Sequence, residues 1–251
     1  MIIDLVTLIP GIFDRVFDES ILGSAKESGL LEIRCHNFRE FSTDRHKTVD
    51  DYPFGGGPGM LIKPAPLAEC LRSVRRQGPA GPVIGLTPQG VPLNQGIVRR
   101  LAQYPRLIIV CGRYEGFDER LLPEFDLELS VGDYVVTGGE FPAMTLVDAV
   151  SRMIPGTVGR TASVEQDSFF TGRLDHPQYT RPAEWEGQSI PEVLRQGHHE
   201  KIETWRRNQA LLRTATRRPD VFTRLTVERD EAVAFQQVFG PSNTSTHHSG
   251  K

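Results

Sequence analysis

Over its first 155 or so residues the chain alternates short apolar runs with polar, glycine-punctuated segments, and run length separates strands from helices. Residues 2–9 (IIDLVTLI) read as a strand stopped at Pro10-Gly11, after which Ile12, Phe13, Val16 and Phe17 recur at helical spacing. Residues 19–28 predict a short helix ended by Gly29. In residues 30–38, Leu31, Ile33 and Cys35 alternate with Glu32, Arg34 and His36, which predicts a strand with one wet face. Periodicity then stops. Residues 39–59 (REFSTDRHKTVDDYPFGGGPG) make a loop of a length that in compact domains is functional or disordered. Residues 64–76 return to a helical period, 83–87 to a strand and Pro88-Gln89-Gly90 to a tight turn, and Asn94 stands as the N-cap of a helix through Ala102.

The pattern concentrates in residues 107–152. LIIVC is short and β-branched, hence a buried strand, and it ends at Gly112 ahead of the polar Arg113-Tyr114-Glu115. Residues 127–131 repeat the design, with Gly132, Gly138 and Gly139 able to supply positive φ or a close backbone approach to a ligand. From Glu140 onward, Met144, Leu146, Val147 and Val150 mark a helix. Ligands of open α/β sheets sit beyond the carboxyl ends of strands, so two such loops side by side predict one pocket. The alternation up to about residue 155 predicts an α/β domain with a mainly parallel sheet.

Beyond Pro155-Gly156 the strand pattern ends. We expect an α/β domain over residues 1–158, an interdomain linker over 159–172, a small all-helical domain over 173–240 and a disordered tail over 241–251. In the second domain Ile202, Trp205 and Leu212 fall on one side of a helix, and residues 227–239 predict another. With 29 Lys+Arg against 32 Asp+Glu the net charge is −3, so any nucleic-acid contact must be local. Residues 201–218 hold six basic residues and one acidic one, and Arg206, Arg213 and Arg217, at spacings of seven and four, share a helix face. Such a face is ordinarily only solvated; beside Trp205 in an acidic protein it also suits a nucleic-acid backbone. Cys35, Cys70 and Cys111 lie far apart with no CxxC pair, which speaks against a disulfide scaffold and a zinc site and for the reducing cytoplasm. No segment has the length and apolarity of a membrane span, so no membrane partner is expected.

Common chemical signatures are missing: there is no GxGxxG after the first strand, no GxxxxGK[ST], HExxH, GxSxG or EF-hand pattern. His198-His199-Glu200 lacks partners at ligand spacing and reads as an exposed helix start. DDYPFGGGPGM, starting at Asp50, is more specific, because Gly55, Gly56, Gly57 and Gly59 let backbone lie flat against a planar or anionic ligand, or simply make a tight structural loop. Asp44-Arg45-His46-Lys47 is either a solvated cluster or a set of phosphate contacts. By pattern alone Asp167 is a turn or cap residue.

DDYPFGGGPGM, LTPQG, CGRYEGFDER, SVGDYVVTGGEFPAMTLVDAVSR, QDSF and LDHPQYTRP, in this order, resemble the bacterial tRNA (guanine-N1)-methyltransferases, over residues 2 to about 218. The resemblance implies a SPOUT fold, an α/β domain with a deep trefoil knot, followed by a helical tRNA-binding domain. It implies a homodimer with S-adenosylmethionine in the knot and transfer of its methyl group to N1 of the guanosine just 3′ of the anticodon, tRNA position 37. Leu86, Thr87 and Pro88, then Gly112, Tyr114 and Glu115, then Val131, Gly132, Asp133, Tyr134, Val135 and Val136 with Gly138 and Gly139 would bind the cofactor. Asp50 and the Gly55 to Gly59 loop would receive the guanosine, and Arg206, Arg213 and Arg217 would grip the anticodon stem. Asp167, Arg152 and Glu115 would be catalytic.

Those roles suit the residue types. Guanine N1 carries a proton at neutral pH, so a base must take it and the charge developing toward O6 must be stabilised. The resemblance assigns the first task to Asp167 and the second to Arg152. It also suggests a magnesium ion, for which no ligand set is visible. Thr87, Gln166 and Ile9 depart from the residues usual in the family, and Gln166 adjoins the proposed base. A knotted RNA-binding protein without catalysis, or a SPOUT enzyme acting on ribose or ribosomal RNA, are the competing readings; intact Arg152, Asp167 and Glu115 disfavour the first, and DDYPFGGGPGM and LDHPQYTRP the second.

Overall fold

The computed structural model describes residues 1–159 and 167–227, so Gln166, the tail and nearly all of the helix expected over 227–239 lie outside the described residues. The chain divides into two compact units, Met1–Val164 and Glu165–Lys251.

In the first unit the described elements are β1 (Ile2–Thr7), α1 (Ser20–Glu27), β2 (Glu32–Asn37), β3 (Asp50–Asp51), β4 (Leu61–Ile62), α2 (Pro64–Arg75), β5 (Val83–Pro92), α3 (Gln95–Leu101), β6 (Arg106–Cys111), β7 (Leu127–Ser130) and α4 (Glu140–Ser151). Five of them form a sheet in the order β2-β1-β6-β5-β7, parallel at every pairing. Successive residues of a strand point to opposite faces. In β6, Leu107, Ile109 and Cys111 join one core with Ile3, Leu5, Leu146 and Val150, while Ile108 and Val110 join another with Phe38, Leu67, Leu71 and Val74. Both faces are therefore covered, which is why this central strand is continuously apolar from Leu107 to Cys111 instead of alternating.

Four local expectations change. Pro88-Gln89-Gly90 does not end the strand: β5 runs on to Pro92, and these residues lie in a register shift against β7 between Leu86 and Val91, both of which pair with Leu129. Gly90 is needed for close approach, since a Cβ there would lie 2.4 Å from the Leu129 nitrogen. Cys35, expected on a dry face, is exposed, because β2 is an edge strand. Residues 12–17 do not extend a helix beyond a 3₁₀ turn at Pro10–Phe13; Phe13 and Phe17 are nevertheless buried, with ring centroids 5.8 Å apart. The loop of residues 39–59 is also more ordered than its sequence suggests. Asp44 accepts hydrogen bonds from the Thr48 and Ser42 hydroxyls and from the Thr48 and His46 amides, which hold its carboxyl far below the usual range, and β3 pairs antiparallel with β4.

The second unit contains a two-stranded hairpin, β8 (Glu184–Trp185) with β9 (Gln188–Ser189), then α5 (His199–Arg217) and α6 (Pro219–Phe222). The hairpin is absent from the purely helical expectation. α5 buries Ala210, Leu211 and Thr214, whereas Ile202, Trp205 and Leu212 stay half-buried, so its inward face is turned from the one its large apolar residues suggest.

Candidate active site

The middle of β5, at its register shift against β7, and the backbone beyond β6 and β7 line one cavity of about 300 Å³, the lower end of small-molecule pockets. Leu86, Thr87 and Pro88 contribute from β5, and Gly112, Tyr114 and Glu115 from the loop after β6. Val131, Gly132, Tyr134, Val135 and Val136, with Gly138 and Gly139, close it from the loop after β7. Asp133 is exposed and does not line the cavity. The loops are stacked backbone to backbone: the Gly139 amide donates to the Gly112 carbonyl at 2.8 Å, and a Cβ on Gly139 would lie 2.7 Å from the Cys111 Cα.

A second contact joins this cavity to the glycine-rich loop. Gly55, Gly56, Gly57 and Gly59 all have positive φ, and at Gly59 an added Cβ would fall 2.4 Å from Cγ of Glu115. The Glu115 amide donates to the Met60 carbonyl at 2.9 Å and the Ile62 amide to the Gly116 carbonyl at 3.0 Å. Asp50 sits in the same hairpin, opposite Ile62. Phe54 is fully exposed at the tip, where burial cannot explain it. The loop thus ends against Glu115 and leaves its glycine backbone open.

Beneath the cavity lies a group that the sequence reading missed. Glu140 begins α4 and is completely buried; its Oε1 accepts from the Thr7 hydroxyl at 2.8 Å and from Arg113 Nε at 3.2 Å. Its Oε2 has no hydrogen-bond partner, and Gly138 leaves room for it, because a Cβ there would lie 2.4 Å away. A carboxylate in the first turn of a helix is favoured by the helix dipole, which offsets part of this burial. Arg113, so held, lines the cavity. In the sequence, Glu140 looked like any acidic residue at a helix start. Burial and then the charge of Glu140 push the nearby Cys111 thiol well above its ordinary range, so it is not a nucleophile.

The remaining candidates are distributed between the units. Arg152 is the half-buried C-cap of α4 and is not among the residues lining the cavity. Asp167 is exposed in the second unit, where its carbonyl accepts from the Phe170 amide at 3.2 Å. Of the α5 arginines, Arg206 and Arg213 are half-buried and Arg217 is exposed; Arg206 pairs with Glu203 at 2.7 Å, which reduces its free charge. Among the described residues no group of three or more His, Cys, Asp or Glu side chains could hold a metal ion, and none of their helices is long and apolar enough to cross a membrane.

Comparison with known proteins gives this geometry a family. A curated protein of Dehalococcoides mccartyi, named tRNA (guanine-N(1)-)-methyltransferase, is 47% identical over 245 residues, covering 97% of this chain and 99% of its own length. Proteins of the same name from Actinobacillus succinogenes and Geotalea uraniireducens are 49% and 51% identical, covering 95% and 88% of the chain and 98% and 90% of their own lengths. The family model described as tRNA (guanine-1)-methyltransferase TrmD matches residues 1–224, and the chain therefore belongs to the tRNA (guanine-1)-methyltransferase family.

Proposed function

We propose that the protein transfers the methyl group of S-adenosylmethionine to N1 of the guanosine at tRNA position 37, next to the anticodon, and so supports maintenance of the reading frame. The observation that carries this reading is the packing of Gly59 on Glu115, which sets a loop open to a planar base beside a cavity suited to a nucleoside cofactor. The cavity fits S-adenosylmethionine in kind: it presents backbone edges where side chains are excluded, at Gly112 and Gly139, together with apolar contacts from Leu86 and Pro142. When bound there, S-adenosylmethionine supplies an electrophilic methyl group on a sulfonium.

The residues of the chain supply position and proton transfer. The glycine loop and Asp50 hold the guanine, whose N1 lies on its Watson–Crick edge. Asp167 accepts the N1 proton, Arg152 stabilises charge developing toward O6, and Glu115 fixes the contact between base and cavity. Arg213 and Arg217 bind the anticodon stem with Arg206. A magnesium ion belongs to the family expectation, but the described residues present no ligand set for one, so no step is assigned to it. The deep trefoil knot would bring the loops after β6 and β7 together, consistent with the hydrogen bond between Gly139 and Gly112. A homodimer, with Asp167 drawn from the opposite subunit and Tyr134, Val135 and Phe141 covered, accounts for apolar side chains otherwise 60%, 85% and 54% exposed. Its tRNA substrate places the enzyme in the cytoplasm.

The test uses labelled S-adenosylmethionine and two unmodified transcripts, identical but for guanosine or adenosine at position 37. Label recovered as 1-methylguanosine from the first alone is expected; no label from either, with tRNA still bound, sinks the reading. Asp167→Asn should lower the rate by about 100-fold or more, the usual scale of a general base. Mixed dimers of inactive Arg152→Ala and Asp167→Ala subunits should regain part of the activity, and verified heterodimers that stay inactive would place each site within one subunit.

A further inference from the structure

Residues 167–172 were expected to be linker, yet with Arg173 they form a closed turn pinned to the arginine helix. The Phe169 amide donates to the Arg173 carbonyl at 2.6 Å and the Gly172 amide to the Phe169 carbonyl at 3.1 Å. Next to it, the Leu174 amide donates to the hydroxyl of Thr214, a fully buried residue of α5, at 2.9 Å, and the Asp175 amide donates to the Ser168 hydroxyl at 2.9 Å.

Phe169 is the anomaly in this turn. Its φ is 70°, a left-handed conformation that costs a bulky residue of order 1–2 kcal/mol, and it is 38% exposed, so burial compensates poorly. What holds it is an arginine. The Arg218 guanidinium lies over the ring, 5.5 Å from its centroid, and is itself fixed by two hydrogen bonds to Asp220, at 2.8 and 2.7 Å. Arg218 and Asp220 flank the junction of α5 and α6, so the turn that starts at Asp167 is anchored to the C-terminal end of the helix that carries Arg213 and Arg217.

We propose that Phe169, Arg218 and Asp220 form a strap that positions Asp167 for removal of the guanine N1 proton, and that Arg218 is thus a positioning residue rather than an RNA contact. The proposal rests on the reading of Asp167 as the general base. It gives a role to an exposed arginine that is paired with a phenylalanine face and a carboxylate in an otherwise basic segment: a base on a loose loop would reach N1 only part of the time, and misplacement by about 1 Å costs on the order of 100-fold.

The full-length protein is tested in single-turnover methylation of the guanosine-37 transcript at saturating S-adenosylmethionine, with tRNA varied. Arg218→Ala and Phe169→Leu should each lower the rate at saturating tRNA about 10-fold or more while leaving the tRNA concentration for half-maximal rate within about 2-fold, and Arg218→Lys, which keeps the cation over the ring, should recover part of the rate. In an Asp167→Asn background, Arg218→Ala should cost little more, because a strap without its base positions nothing. Asp220→Asn, an exposed change that frees Arg218 without touching the turn, serves if a melting curve shows Arg218→Ala to be unfolded, and it too should slow the saturated rate. A loss confined to half-saturation, additive losses with Asp167→Asn, or unchanged rates would each overturn the strap. A wild-type protein that forms no 1-methylguanosine overturns the functional reading itself, whereas an active wild type with unaffected variants overturns the strap alone.

Discussion

Buried charge shows at the residue scale how much depends on partners. Asp4 in β1 and Arg106 in β6 are both fully buried, and they meet at 2.6 Å; His36 closes on the other Asp4 oxygen at 2.6 Å, and Arg106 also donates to the carbonyls of Val74 and Pro79. Burial alone would raise the Asp4 pKa, but the hydrogen bonds from His36 and Arg106 outweigh it and hold the carboxyl below its ordinary value. Removing one partner leaves an uncompensated charge, so Arg106→Met should destabilise by about 3–5 kcal/mol in urea unfolding near neutral pH. The sign with pH follows from the depressed pKa: the pair's contribution is complete above the unfolded carboxylate value of about 3.9 and is lost as pH falls through the folded one. The gap between variant and wild type should therefore narrow in acid. The cysteines offer a second check. Burial pushes Cys70 up to about 12 and Cys111 higher than its ordinary range as well, while Cys35 is exposed. A thiol reagent on the folded protein should add one label, at Cys35, with the other two reacting only after denaturation.

At the scale of elements, glycine positions separate the two halves of the site. A Cβ added at Gly139 would meet backbone atoms of Cys111 and Gly112 at 2.7 and 2.8 Å, which cannot move without disturbing β6. Gly139→Ala should thus weaken S-adenosylmethionine binding, measured by calorimetry, and cost about 1–3 kcal/mol of stability from overpacking. Gly59→Ala meets only the flexible Glu115 side chain, but its positive φ of 81° strains an alanine, so stability should fall by about 1 kcal/mol. Methylation of tRNA should fall about 100-fold with cofactor binding preserved, because the loop and Glu115 are displaced together. Equal losses of cofactor affinity in both variants would show that the loop belongs to the cofactor cavity. Most element boundaries were legible because periodicity and caps are local: Asn94 does cap α3, its side chain accepting from the Ile97 amide at 3.1 Å. The failures were at places where a neighbour decides. Pro88-Gln89-Gly90 has the composition of a turn, and only the return of Val91 and Pro92 onto β7 continues the strand past it.

For the whole molecule, net charge and function point in different directions. A chain of net charge −3 binds a polyanion only through a local field, carried in our reading by α5. Its affinity for tRNA should fall steeply with salt, and Arg213→Ala and Arg217→Ala should each flatten the slope of log affinity against log salt by about 0.7, the single-strand value, or slightly more if the contact is to a duplex. An unchanged slope would remove these arginines from the interface. What the sequence by itself determined was whatever depends on near neighbours along the chain or on whole motifs: the parallel α/β order, the end of the central strand at Gly112, the glycine loop, and the family through its ordered motifs. Tertiary structure alone decided which distant groups meet. Glu140 became a buried anchor for Arg113 because Thr7, far away in the chain, lies beneath it, and Gly59 became part of the site because Glu115 packs where its side chain would be. Periodicity reports which side of an element is apolar; it carries no information about what the fold later places against that side.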